Sequence, residues 1–130
     1  MTLNYQAIQA AVNQEGNASG FARLMQAFKA LGVTHYDYLV AEGVYRYYDV
    51  NSSIDLPMNG VPKPVTAVSD AAKIKAAVRG AQAGQFDFER FCELAGEAGV
   101  PMWETNLVNK TVTYFDGLHQ PLLVEPIPGL

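Results

Sequence analysis

An internal offset of 67 positions constrains the fold of this chain more than any other feature of its 130 residues. The matches fall where helices are expected to begin and end and where hairpins close, so we interpret them as a duplicated unit. They are Phe21 with Phe88, Arg23 with Arg90, Gly32–Val33 with Gly99–Val100, Tyr36 with Trp103, Tyr47–Tyr48 with Tyr114–Phe115, and Asp49 with Asp116. A chain of this length has the usual size of one domain. The sequence therefore predicts a single domain, 1–130, with pseudo-repeats of about 1–64 and 65–130.

Each half is predicted to begin with two helices, because apolar residues recur at helical spacing between capping residues and glycines. The expected helices are 3–13, a second from Ser19 to Gly32, a third from Ser69 or Asp70 to Arg79, and a fourth over 88–98 after Asp87.

Aromatic and β-branched residues then predict one hairpin in each half. The expected strands are 34–40 with 44–49, 102–108 with 111–115, and a short edge strand at 122–124. The segment 51–64 is expected to be an irregular, mobile loop, because Pro57, Pro62 and Pro64 disfavour regular structure. The predicted fold is α+β: two helix–helix–hairpin repeats with an antiparallel sheet of four or more strands. We expect the helices to pack mainly on one face, which leaves part of the other face open or covered by a partner chain.

Composition narrows the functional classes. The net charge is −4 and the nine basic residues are scattered, so we expect no nucleic-acid partner. No apolar run is long enough to span a bilayer, no signal peptide is recognised, and one cysteine, Cys92, fits a reducing compartment, so the expected location is cytoplasmic. The charged fraction of 17% is below average, which favours a homo-oligomer.

Five tyrosines of the first hairpin have two interpretations. They either pack across strands beneath the helices, or they form a recognition surface, since tyrosine is enriched at interfaces. Trp103 and Tyr114 extend the same face in the second half. The five tyrosines are Tyr36, Tyr38, Tyr45, Tyr47 and Tyr48.

The polar candidates are few. His35 and His119 are far apart and lack clustered ligands, so we predict no metal site and place both at the surface or in turns. Asp49 and Asp116 occupy equivalent hairpin ends, where an aspartate either caps a turn or, if the halves bring the two together, forms a carboxylate pair. Cys92 lies near acidic residues and is expected to be structural.

Phosphate-binding loops and nucleophile elbows are absent from the sequence, and no cofactor is implied. The leading hypothesis is a non-catalytic binding module with a protein or small-molecule partner. The alternative is a small metabolite-binding protein or enzyme with its site between the aromatic hairpins and 51–64. The candidate ligand-binding residues are Tyr36, Tyr38, Tyr47, Trp103, Tyr114, His35, His119, Asp49 and Asp116.

The second half also carries a family resemblance. The segments 84–92, 98–100, 113–116 and 124–128, together with Trp103, resemble a bacterial family called domain of unknown function 1398, whose members are often labelled phage envelope protein. The likeness extends to 31–33 and 47–48. A histidine that often precedes the glutamine in this family is Ala81 here, before Gln82. The resemblance implies a bacterial or prophage-type protein and no particular reaction.

Overall fold

The computed structural model describes residues 6, 21–56 and 60–127, which contain three helices and six strands. In chain order these are α1 (Phe21–Ala30), β1 (His35–Leu39), β2 (Val44–Tyr48), β3 (Ser53–Leu56), α2 (Ala71–Gln82), α3 (Phe88–Glu97), β4 (Met102–Asn106), β5 (Thr111–Phe115) and β6 (Pro121–Pro126). The helix predicted over 3–13 lies outside the described residues apart from Gln6, and so does the start predicted at Ser19.

The six strands form one antiparallel sheet in the order β3-β2-β1-β4-β5-β6. Strands β1 and β4 meet at its centre, with Tyr38 opposite Trp103 and Asp37 opposite Glu104. This pairing joins the strands of the first half to those of the second. The predicted α+β class is confirmed.

One element was missed by the sequence analysis. Strand β3 lies within 51–64, which was predicted to be irregular, and that prediction is wrong for Ser53–Leu56. Ile54 and Leu56 alternate with polar residues and pair with Tyr47 and Tyr45 of β2. The prolines that indicated a loop all lie after this strand. Each half therefore contributes three strands to the sheet.

The bounds of α1, β1 and β2 lie 67 positions before those of α3, β4 and β5. Two pairs of residues with positive φ are also 67 positions apart: Gly32 (92°) with Gly99 (73°), and Gly43 (67°) with Lys110 (62°). The complete helix–helix–hairpin unit stays a prediction, because its first helix lies outside the described residues.

The core lies between the helices and one face of the sheet. Phe28 of α1 packs edge-on against Tyr36 and Tyr47, with ring centroids 5.6 and 5.2 Å apart. Phe91 of α3 packs in the same way against Trp103, at 5.2 Å. Burying each such ring contributes about 1.5–3 kcal/mol. Helix α2 contacts α3 and the β6 edge, where Arg79 pairs with Glu125.

The segment 60–69, called the strap here, crosses α3 and ties the two halves together. Its Lys63 N–H donates to the Val40 carbonyl (3.1 Å) and its Thr66 N–H to the Gly96 carbonyl (3.0 Å). Gly96 permits this approach, because a Cβ there would lie 2.1 Å from the Pro64 carbonyl oxygen. The Lys63 ammonium reaches Glu89 of α3 at 2.9 Å.

Candidate functional site

The five aromatic candidates all lie on the helix-covered face of the sheet, each less than 9% exposed. Tyr38 stacks on Trp103 with ring centroids 4.7 Å apart, and Trp103 lies 5.7 Å from Tyr114. Burial raises the pKa of Tyr36 to about 12, so its hydroxyl stays protonated at any physiological pH. This is the arrangement that the cross-strand packing interpretation describes. Ligand binding by Tyr36, Tyr38, Tyr47, Trp103 and Tyr114 remains a prediction.

The two candidate aspartates hold turns at opposite ends of the sheet. Asp49 Oδ1 accepts hydrogen bonds from the backbone of Asn51 (2.7 Å) and Ser52 (2.5 Å), which lower the Asp49 pKa. Asp116 Oδ1 accepts from the backbone of Leu118 (2.9 Å) and Gln120 (2.8 Å). Because β1 and β4 are antiparallel, Tyr48 lies beside His35 at one end of the strands, and Phe115 lies beside Met102 at the other end. The structure therefore does not bring Asp49 and Asp116 together as a carboxylate pair.

The two histidines are also separated. His119 adopts a φ of 60° in the β5–β6 turn and stacks on Phe115, with ring centroids 4.1 Å apart. His35 lies at the other end of the sheet, where it stacks on Tyr48 at 4.2 Å and its Nδ1 is 3.0 Å from the Thr34 hydroxyl. Both rings thus rest on an aromatic neighbour, and the structure does not bring them to a common site.

Cys92 is fully buried in α3, and burial raises the pKa of its thiol to about 11. This environment suits a structural cysteine, because the reactive form is the thiolate.

The face of the sheet opposite the core carries three rows of side chains, which are half-buried except for the exposed Ser53 and Asp55 on the edge strand β3, and the three described helices pack on the other face. We call it the open face. Its apolar row consists of Val44, Leu39, Met102 and Phe115, and its charged row consists of Asp55, Arg46, Asp37 and Glu104. A polar row of Ser53, Tyr48, His35, Asn106 and Thr111 completes it.

Asp37 lies at the centre of the open face, on β1, directly opposite Glu104 of β4. Its Oδ2 accepts a hydrogen bond from the Tyr48 hydroxyl at 3.2 Å, whereas its Oδ1 is buried and accepts none from residues 21–56 or 60–127. Desolvation and the Glu104 carboxylate raise the Asp37 pKa, and the Tyr48 hydrogen bond, His35 and Arg46 offset part of this rise. A buried polar atom without a partner is uncommon in folded proteins and calls for a physical explanation.

Arg46 lies opposite Asp37 on β2, but its guanidinium pairs with Asp55. Its Nε and Nη2 donate to the two oxygens of Asp55 at 2.8 and 3.1 Å, a bidentate pair at the sheet edge. The pairing lowers the pKa of Asp55. The charged row therefore contains three carboxylates and one guanidinium, and within the described residues Asp37 and Glu104 are the two carboxylates of this row without an ion pair.

Asp37 and Glu104 were not among the candidate residues predicted from the sequence, whereas the neighbouring His35 was. The signal was present, because Asp37 and Glu104 are themselves related by the offset of 67. An acidic residue at equivalent positions of both halves, on strands that turn out to be adjacent, places two carboxylates side by side.

Other surfaces offer less chemistry. A groove of about 370 Å³ between α2 and α3 is lined by Lys73, Ala76, Ala77, Phe86, Leu94 and Glu97, with charge only at Lys73 and Glu97. In the described part of the chain, no three His, Cys, Asp or Glu side chains are grouped closely enough to hold a metal ion. Nor does any helix there have the length and apolar character needed to cross a bilayer.

The fold and this site define an α+β protein built on a six-stranded antiparallel sheet, with one face under helices and the other bearing a central acidic pair. The chain belongs to a family described as protein of unknown function (DUF1398), whose profile matches residues 9–126. The resemblance seen in the sequence is thereby confirmed. The family description names no activity and no phage component. A comparison with curated proteins finds no match.

Proposed function

We propose that this protein is a non-catalytic interaction module that docks a basic segment of a partner protein on its open face. The observation that carries the proposal is the buried Asp37 Oδ1, which accepts no hydrogen bond from the described residues and lies at the centre of a sheet face that none of the three described helices covers. A donor from outside would remove the cost of leaving that oxygen unpaired.

Charge complementarity argues for a basic partner. Arg46 pairs with Asp55, so Asp37 and Glu104 present negative charge that no side chain in the described part of the chain fully neutralises. Complementary charge at the centre of an interface fixes the register of a partner and excludes partners of the wrong sign.

The apolar row supplies contact area beside the charges. Leu39, Met102 and Phe115 are half-buried without a covering helix from the described residues, and Leu118 projects from the adjoining turn with 82% of its surface exposed. Such a surface, apolar on one side and charged on the other, suits an extended or helical protein segment more than a small metabolite.

The homo-oligomer remains a proposal supported by the low charged fraction. A two-fold contact centred on the open face would oppose two acidic pairs, which is unfavourable at neutral pH. Any dimer is therefore expected to use another surface, and native mass spectrometry at neutral pH measures whether a dimer forms.

We also propose that the chain is one domain with pseudo-repeats of about 1–64 and 65–130, and that it is a cytoplasmic protein of bacterial or prophage-type origin. The shared bounds of α1, β1 and β2 with α3, β4 and β5 support the repeat. The single cysteine, which is buried, supports the cytoplasmic location, and the family resemblance supports the bacterial or prophage-type origin.

A displayed library of random peptides tests the docking function. We expect selection on the wild-type protein to enrich peptides that combine lysine or arginine with apolar residues. Their affinity should fall by about tenfold or more for Glu104→Lys, the loss expected when an ion pair becomes a repulsion. The matched control, Glu97→Lys on the exposed side of α3, makes the same change in net charge and should leave affinity unchanged. Enriched peptides that lack basic residues, or that bind the Glu104→Lys variant equally well, would contradict the proposal.

A further inference from the structure

We infer that the basic group received between Asp37 and Glu104 is a guanidinium, an arginine side chain rather than a lysine. The inference rests on the docking function proposed above and names the chemistry of the anchoring residue.

The shape of the acceptor site favours a planar donor. Asp37 and Glu104 are directly paired across β1 and β4, so their Cβ atoms lie about 4.5–5.5 Å apart and their carboxylates project from the same face. Asp37 Oδ1 is already desolvated. A guanidinium offers five N–H donors in a rigid fork that can reach two carboxylates at once, and it is more weakly hydrated than an ammonium. A guanidinium therefore loses less hydration free energy than the lysine ammonium does on entering this site.

The protein already contains a guanidinium bound by a carboxylate one strand away. Arg46 engages Asp55 with two parallel hydrogen bonds at 2.8 and 3.1 Å on this face, and its guanidinium also hydrogen-bonds the Tyr48 hydroxyl. Tyr48 in turn donates to Asp37. A second guanidinium at Asp37 and Glu104 would repeat the Arg46–Asp55 arrangement on the other side of Tyr48.

An aromatic wall adjoins the acidic pair. The rings of Tyr48 and His35 are stacked 4.2 Å apart at an angle of 11° and flank Asp37 in the neighbouring row. Guanidinium groups stack on aromatic faces, and this contact adds to the ion pairs where water is partly excluded.

The test uses the full-length, ¹⁵N-labelled protein and two matched probes, N-acetyl-arginine methylamide and N-acetyl-lysine methylamide. Amide resonances of β1, β2 and β4 are followed by NMR during each titration. We expect saturable shifts centred on Asp37 and Glu104 with the arginine probe, and an affinity for the lysine probe about fivefold or more weaker. Asp37→Asn and Glu104→Gln should each weaken the arginine probe by about tenfold. Glu42→Gln, which removes the same charge from an exposed turn, should not.

The two proposals fail in different ways. Equal affinity for both probes at Asp37 and Glu104 overturns the guanidinium inference and leaves the docking of a basic segment intact. Shifts that are absent, or that centre on another surface, overturn the inference whatever the peptide selection gives. Selected peptides that carry lysine without arginine and depend on Glu104 would also overturn it while supporting the docking function.

Discussion

At the scale of single residues, Asp37 is a position where stability and the proposed docking function are opposed. Folding raises its pKa above the unfolded value of about 3.9, so the folded state holds the proton more tightly. The stability that this group contributes is complete below the unfolded pKa and is lost as the pH rises through the folded pKa. An ionised Asp37 is therefore a destabilising group at neutral pH. Binding sites commonly retain such groups.

Asp37→Asn should accordingly be as stable as the wild type near pH 4 and more stable at pH 7, by up to about 1 kcal/mol because the side chain is only half-buried. Urea unfolding followed by Trp103 fluorescence at both pH values measures the difference. The same comparison with Asp55→Asn is the control, because the Asp55 pKa is lowered by Arg46 and its loss should destabilise the protein at pH 7. An Asp37→Asn variant that is less stable at pH 7 than the wild type would show that Asp37 is stabilising.

Cys92 gives a second prediction at this scale. Its thiol is fully buried and its pKa is about 11, so a thiol reagent at pH 8 should react only when α3 or the strap opens. We expect no labelling of the native protein on the timescale of mixing, and one equivalent in denaturant. Immediate labelling under native conditions would mean that the strap does not cover α3 in solution.

At the scale of elements, the strap depends on the glycines beneath it. A Cβ at Gly96 would lie 2.1 Å from the Pro64 carbonyl oxygen, which is backbone and cannot turn away. Gly96→Ala should therefore destabilise the protein by about 1–3 kcal/mol, the usual cost of overpacking. Gly117→Ala is the matched control, because a Cβ there meets nothing within 4 Å. Equal unfolding midpoints for the two variants would show that the strap can shift without cost.

The local signals of the sequence predicted most elements, and the reasons are visible in single residues. Asp70 and Asp87 cap α2 and α3 by accepting backbone hydrogen bonds, and Gly99 has the positive φ that ends α3. Each of these signals acts within a few residues. Strand β3 was not predicted, because its four residues contain only two repeats of the polar–apolar alternation and prolines follow closely.

The candidate site was harder to predict because it depends on which strands are neighbours. The sequence identified the tyrosines as notable without indicating which face they share with the helices. Asp37 and Glu104 are 67 residues apart, and only the pairing of β1 with β4 makes them adjacent. Single-sequence reasoning carries no direct information on such long-range pairing.

At the scale of the whole molecule, the paired strands β1 and β4, called the seam here, relate the two halves by an approximate two-fold axis. Asp37 and Glu104 are equivalent under the offset and also directly opposite each other, so the centre of the seam runs through the acidic pair. A fragment of residues 60–130 would keep α2, α3 and β4–β6 and expose the β4 edge that β1 normally covers. Exposed edges with an apolar face tend to pair with another chain.

We therefore expect this fragment to dimerise through β4, with Glu104 of each copy opposite its equivalent in the other. Like charges directly opposite each other weaken a strand pair, so Glu104→Gln should tighten the fragment dimer. Sedimentation equilibrium measures the dimer affinity, with Glu97→Gln on the exposed side of α3 as the charge-matched control. A monomeric fragment, or a dimer insensitive to Glu104, would mean that the seam is specific to the two different halves and is not a remnant of a symmetric pair.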